Sequence, residues 1–209
     1  FIFLLKRTSL KSINKKLKDN PNWNILDIGC GYTANQFAKT VADVQDLSGF
    51  YKNKKFVRIK DKRLPFKDKE FDFVISSHVI EHVEDFKFFI SEIERVTAQG
   101  YIELPTRLGD NIVFENLKDH IWWFKYDDEL NLLLASKKNQ ILEPFVTVST
   151  AKKLENIFRE SLVMEIFWKD KIDYILNEEL ELKSENRINF LSLIKKYFTK
   201  KFRRFFSKK

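Results

Sequence analysis

The chain has 209 residues, 44% hydrophobic and 33% charged, which is enough for one domain with a substantial core and too long for a disulfide-stapled scaffold. Its net charge of +8 is concentrated at one end: residues 195–209 hold eight Lys or Arg and no acid, while the remainder carries 30 of each sign. A lone cysteine, Cys30, permits no internal disulfide, and no apolar run approaches the roughly 18 residues that cross a bilayer, so a reduced, cytoplasmic protein without an export signal is expected.

In chain order, Leu10, Ile13 and Leu17 recur at helical spacing with Lys between them, and Asn20-Pro21 stops the pattern, predicting a lead-in helix. From residue 24 short apolar runs alternate with longer helical patterns, the signature of a βαβ sheet. The predicted strands are 24–29, 40–46, 55–59, 71–77 and 100–105, and Phe86, Phe89, Ile90, Ile93 and Val96 mark one face of a helix before the last of them. Two apolar runs flanking Asp127-Asp128 predict an antiparallel hairpin over 120–136 that completes a mixed sheet. Beyond Pro144 the spacing predicts a helix starting near Ser149 or Thr150 and a strand at 163–168. From about 186, Leu191, Ile194, Phe198, Phe202 and Phe205 follow steps of three and four among Lys and Arg, which gives a basic amphipathic helix.

The segment NILDIGCGYTANQFAK carries the most chemical information. A buried strand delivers the backbone to Gly29 and Gly31, where the absence of a Cβ lets a ligand touch the main chain, and a helix is expected to begin at once. Near the end of the next predicted strand stand Asp43 and Asp46, and Asp46 lies 17 residues past Gly29, about where an acid accepts hydrogen bonds from ribose hydroxyls. Both NAD and S-adenosylmethionine contain that ribose, so the glycine turn by itself leaves the two open.

Further elements narrow the choice. Asp27-Ile-Gly29-Cys-Gly31, Leu64-Pro65-Phe66, Phe71-Asp72-Phe73-Val74 and Glu81-His82 occur in one order and spacing, and over about 24–106 the chain resembles the class I S-adenosylmethionine-dependent methyltransferases, especially their small-molecule group. The 120–137 segment bears a looser likeness to methyltransferases from bacterial surface-glycan gene neighbourhoods. The resemblance implies a three-layer, Rossmann-like α/β fold with a seven-stranded mixed sheet and S-adenosylmethionine as cofactor. It further implies that Asp27 fixes the turn, that Gly29 and Gly31 face the methionine portion, and that Asp46 holds the ribose; Cys30, between the glycines of this cofactor-binding turn, reads as a small filler. Asp61 would meet the adenine amino group, and Ser76 and Ser77 would offer carbonyls to the methionine ammonium. Thr33 departs from the family, which often has Gly there.

Methyl transfer from a sulfonium is an in-line displacement that asks the protein chiefly for alignment and exclusion of water. A hydroxyl acceptor gains from a general base, for which histidine is suited. The candidates are His78, Glu81 and His82, which form H-x-x-E-H after the fourth predicted strand, and His120, beside Trp122 and Trp123. Related quinone and RNA-end methyltransferases carry E-x-x-E-H in this place and hold a divalent metal; with His78 in the first position an oxygen-preferring Mg²⁺ site is disfavoured, and no metal is expected.

The expected organisation is a methyltransferase domain over 1–145, a helical and strand extension over 146–194, and a basic amphipathic tail over 195–209. The expected activity is methyl transfer to a small molecule or glycan, including a lipid-linked one. The tail suits an anionic membrane surface better than nucleic acid, placing the protein peripherally at the inner face of the membrane. The rival readings are an NAD-dependent oxidoreductase and a degenerate cofactor-binding module that docks through the tail.

Overall fold

The computed structural model describes residues 4–176. In chain order the elements are β1 (Leu4–Arg7), α1 (Leu10–Lys18), β2 (Ile25–Ile28), β3 (Thr40–Asp43), β4 (Lys55–Arg58), β5 (Phe73–Ser77), a 3-10 turn (Ile80–His82), α2 (Phe86–Val96), β6 (Gln99–Pro105), α3 (Arg107–Ile112), α4 (Asn116–Asp119), β7 (Trp122–Asp127), β8 (Leu132–Lys137), α5 (Val148–Leu162), β9 (Val163–Lys169) and β10 (Tyr174–Leu176). Seven strands form a mixed sheet in the order β1-β9-β6-β5-β2-β3-β4, in which β2 to β6 run parallel and β9 pairs antiparallel with both β1 and β6. This is the doubly wound architecture of the Rossmann-like class. Its strand order reverses at β2, whose neighbours β3 and β5 lead away to opposite sides and leave a crevice beyond their carboxyl ends.

The pleat sorts the core into two layers. Leu26, Ile28, Val74, Ile102 and Leu104 face α2, whose Phe86, Phe89, Ile90, Ile93 and Val96 bury the predicted apolar stripe. Ile25, Phe73, Ile75 and Tyr101 point the other way, onto Ile13 and Leu17 of α1. Each helix begins at a side-chain cap: Ser9 accepts from the Ser12 amide at the start of α1, and Asp85 from the Phe88 amide at the start of α2.

Four expectations are corrected. The hairpin forms, but outside the main sheet: β7 and β8 join β10 in a separate three-stranded sheet. Trp122 and Phe124 pack edge-on against Phe86, with Tyr174 on the same ring, so the hairpin covers α2 instead of extending the strand row. The sixth and seventh places of the sheet belong to β9 and to the opening residues of β1, the latter reduced in the sequence to a short apolar run. Residues 148–169 are therefore not an appendage; α5 and β9 belong to the same compact unit as the strands before them. Finally, no helix follows the glycine turn. The β2 to β3 connection, residues 29–39, is shorter than the dozen or so residues of an ordinary helical crossover, and it runs instead as turns.

The expected helix from about 186 and the tail at 195–209 lie outside the described residues. Among the described residues no helix is long and apolar enough to cross a membrane.

Candidate active site

The carboxyl ends of β2, β3 and β5 open into two cavities, of about 680 Å³ and 600 Å³, that share Gly29, Gly31, His78 and His82. The turn between them needs glycine twice. Gly29 has φ +66° and Gly31 φ +46°, the left-handed region that side chains rarely adopt. A Cβ on Gly29 would collide with the Val79 side chain, whereas one on Gly31 meets nothing within 4 Å and would stand in open space. Gly29 thus lets β2 and the loop after β5 approach, and Gly31 leaves bare backbone for a ligand.

Side chains pin the turn from below. Asp27 accepts from the Asn35 amide at 2.7 Å, and Asn35 in turn accepts from the Phe37 amide at 3.0 Å, replacing the absent helix with a string of side-chain turns. Burial pushes the Asp27 carboxyl up to about 7, against the opposing pull of the Asn35 amide and Lys54. Tyr51 donates its hydroxyl to the Gly31 carbonyl at 2.7 Å. Cys30 is buried on the wall of the smaller cavity, and burial first, then Asp27 and Asp43, raises its thiol to about 11, so it serves as a neutral filler and not as a nucleophile.

The larger cavity combines apolar walls, from Ile59, Leu64, Val79, Phe88 and Phe89, with Asp43 and Asp61. Asp43 closes β3 and is buried; its carboxylate accepts from the Gly31 amide and the Gln45 amide, each at 2.9 Å. Asp46, the acid expected at the ribose, is not brought here. The strand ends at Asp43, and Asp46 is exposed on the following turn, occupied with the Ser48 amide and hydroxyl. Asp61 lines the cavity as expected from its place before Leu64-Pro65-Phe66. Ser77 lines the smaller cavity, while Ser76 is buried beneath it with its hydroxyl unpartnered.

The smaller cavity collects charge. His78 adopts φ +54°, which turns its ring between two carboxylates: Nδ1 is 3.2 Å from Glu81 and Nε2 is 3.2 Å from Glu103. Burial alone would lower its pKa, but Glu103 and Glu81 outweigh it and lift the imidazole to about 10. With both nitrogens donating, His78 has no lone pair to offer and acts as a fixed cation instead of a base. Glu103 is held down to about 2; burial opposes this, and His78, Tyr101 and Arg159 overcome it.

The pH consequence follows from the signs. The raised His78 pKa adds stability fully present below its ordinary value near 6.5 and lost as pH rises toward 10. The depressed Glu103 pKa adds stability present above 4.5 and lost as pH falls toward 2. Denaturant melts should therefore show the stability of the wild-type protein relative to His78→Asn greatest between about pH 4.5 and 6.5 and shrinking from pH 7 to 10. A difference that stays level across that alkaline range would show that His78 is not the cation described. Asn is chosen because it tolerates positive φ.

Behind Glu103 lies a network that no motif announces. Glu103 and Glu165 stand directly opposite in the β6–β9 ladder, with the Tyr101 hydroxyl 2.6 Å and 2.8 Å from them and Arg159 of α5 bridging both. Two carboxylates facing each other on adjacent strands repel unless a cation intervenes, and Arg159, its pKa raised by Glu165 and Glu103 despite burial, supplies one. The signal was available as acids interrupting the apolar runs GYIELP and VMEIFW.

The remaining candidates converge as well. Glu81, His82 and His120 offer ligating atoms that all lie within 4.8 Å of one another, and the two imidazoles meet edge-to-face at 4.4 Å. His82 donates Nδ1–H to the Asp119 carbonyl at 2.8 Å, and His120 donates Nδ1–H to the buried Asp110 carboxylate, leaving Nε2 bare on both rings. Asp110, which the sequence did not single out, also accepts from Trp123 Nε1 and pairs with Lys138 at 3.1 Å; these partners keep its pKa low although burial favours the neutral form.

Residues 26–102 match the sequence profile of a family described as "Methyltransferase domain". The match spans β2 through most of β6, including the glycine turn, Asp43, Asp61 and the Glu81-His82 pair. Over this segment the chain is similar to that methyltransferase family. No curated protein matches the chain. Among solved structures, the chain is similar to protein PH0226 from Pyrococcus horikoshii, at 16% identity and a TM-score of 0.44 over 78% of this chain and 89% of that one. It is similar to an S-adenosylmethionine-dependent methyltransferase from Mesorhizobium loti at 11% identity and a TM-score of 0.43, over 74% and 96% of the two chains. The trans-methyltransferase CalH, solved in complex with S-adenosylhomocysteine, is 16% identical with a TM-score of 0.38 over 45% of this chain and 35% of that one.

The cofactor of such a methyltransferase is S-adenosylmethionine, and the site's chemistry fits it. The bare Gly31 backbone lies where the two cavities meet, acids line the larger one beside apolar walls suited to a purine, and carboxylates rim the smaller.

Proposed function

We propose that the chain transfers a methyl group from S-adenosylmethionine to a small molecule or glycan seated in the smaller cavity. The observation that carries this reading is the shared boundary of the two cavities at Gly29, Gly31, His78 and His82. An adenosyl group in the larger and an acceptor in the smaller would meet there. When bound, the cofactor supplies an electrophilic methyl on a sulfonium.

The chain's own residues would do the rest. Asp43, already oriented by the Gly31 and Gln45 amides, holds the ribose hydroxyls, and Asp61 meets the adenine edge. Asp27 and the Gly29–Gly31 turn take the methionine end, with Cys30 packing beside it and the carbonyl of Ser77 facing the ammonium. His78, clamped between Glu81 and Glu103, fixes the floor where the two ligands touch. His82 and His120 line the acceptor side, with the buried Glu81 close behind them, so the proton of an acceptor hydroxyl leaves toward these two histidines. Alignment in a walled cavity supplies most of the acceleration such a displacement needs.

Calorimetry with S-adenosylhomocysteine and, separately, NADH tests the reading. Saturable one-to-one binding of the first and none of the second is expected. Binding of NADH in place of the thioether would assign the glycine turn to an oxidoreductase and overturn methyl transfer.

A further inference from the structure

We propose that Tyr51 and Lys54 are positioning residues for the cofactor: they stand in for the helix that the glycine turn lacks and hold Gly31 in the shape that receives the methionine end. The proposal rests on the methyl-transfer reading for the identity of the ligand. A helix after the turn would satisfy its own carbonyls with amides four residues on. Residues 29–39 run as turns instead, so their carbonyls need other donors. Two side chains from the connection between β3 and β4 supply them. The Tyr51 hydroxyl donates to the Gly31 carbonyl at 2.7 Å and accepts from the Ala34 amide at 3.1 Å. The Lys54 ammonium donates to the carbonyls of Asn35, Gln36 and Ala38, at 3.2, 3.3 and 2.5 Å. Its three protons are thereby matched by three acceptors.

The two residues share one local turn, in which the Tyr51 amide donates to the Leu47 carbonyl and the Lys54 amide to the Tyr51 carbonyl. The Tyr51 ring is buried, with Phe50 edge-on at 4.9 Å and Phe56 stacked at 6.4 Å, so packing gives its hydroxyl a set place. Burial also raises the Tyr51 pKa, which keeps the hydroxyl a donor. The grip on Gly31 is two-sided: Asp43 takes its amide at 2.9 Å and Tyr51 its carbonyl. A glycine at φ +46° has no side chain to hold it and much freedom to lose, so fixing both of its peptide groups prepares the turn before a ligand arrives. Gly31 lines both cavities, whereas neither Tyr51 nor Lys54 lines either one. Their effect on a ligand therefore passes through the turn.

The test uses the full chain and two ligands: S-adenosylhomocysteine, and methylthioadenosine, which keeps the nucleoside and the sulfur but lacks the amino-acid part. Tyr51→Phe preserves the packed ring and removes only the hydroxyl. By calorimetry it should bind S-adenosylhomocysteine at least about tenfold more weakly than wild type, and methylthioadenosine within about threefold of wild type. Lys54→Met, which keeps the apolar stem, should show the same split between the two ligands. Hydrogen exchange adds a readout without ligand: the Ala34 amide should exchange at least about tenfold faster in Tyr51→Phe, with the amides of β5 and β6 unchanged. Equal affinity for S-adenosylhomocysteine in wild type and Tyr51→Phe would overturn the proposal, and so would an equal loss for both ligands, the mark of general destabilisation. A wild type that binds neither ligand ends the methyl-transfer reading and the positioning role with it, whereas equal affinities end the positioning role alone.

Discussion

Asp43→Ala should lose about 100-fold or more in affinity for S-adenosylhomocysteine, while Asp46→Ala stays close to wild type. The pair of ribose hydroxyls would give a carboxylate two charge-assisted hydrogen bonds, each contributing about 1.5–3 kcal/mol, and about 1.4 kcal/mol corresponds to tenfold in affinity. Asp43 is the acid in position: it is buried at the end of β3, on the wall of the larger cavity, with its oxygens already aimed by the Gly31 and Gln45 amides. Asp46 is exposed and engaged with Ser48. Parallel calorimetry of the two variants decides, and retained tight binding in Asp43→Ala with loss in Asp46→Ala would return the ribose to Asp46.

Removing Asp110 should destabilise the fold by about 3–5 kcal/mol, the cost of stranding buried partners of a charge. Asp110 is fully buried and serves three groups at once: His120 Nδ1, Trp123 Nε1 and the Lys138 ammonium, whose side chain is itself only 6% exposed. Asp110→Ala leaves the Lys138 charge without its carboxylate in the interior. Chemical denaturation of Asp110→Ala and of Asp110→Ala with Lys138→Met should show the double variant recovering part of the loss, because the stranded cation is gone. A single variant within about 1 kcal/mol of wild type would mean that the network contributes little beyond surface electrostatics.

The central strands were legible because buried parallel strands are short apolar runs between turn signals, and Ile25 to Ile28 and Phe73 to Ser77 match that description. The stripe of α2 was legible for the same kind of reason, at a different period. What escaped depended on distant partners. Leu4–Arg7 becomes a strand only because β9 offers a free edge, and no local pattern in four residues announces that. The hairpin was visible, but its destination was set by Phe86 and Tyr174, which lie elsewhere in the chain. At the site, the glycine turn and Asp61 line the cavity and Asp46 does not, since β3 ends at Asp43, three residues earlier than the sequence pattern suggests, which leaves Asp46 on the surface. Asp110, Glu103 and Arg159 carried no motif; the importance of the two acids comes from burial and that of Arg159 from its pairing with Glu103, neither of which composition can reveal.

The placement of β1 has a bearing on biogenesis. Among the described residues its ladder partner is β9, far along the chain. During synthesis β1 must wait for a strand far along the chain, so the sheet acquires its outermost member in a step of high contact order. Until then β9 presents an unsatisfied row of amides and carbonyls, a template for pairing with another nascent copy.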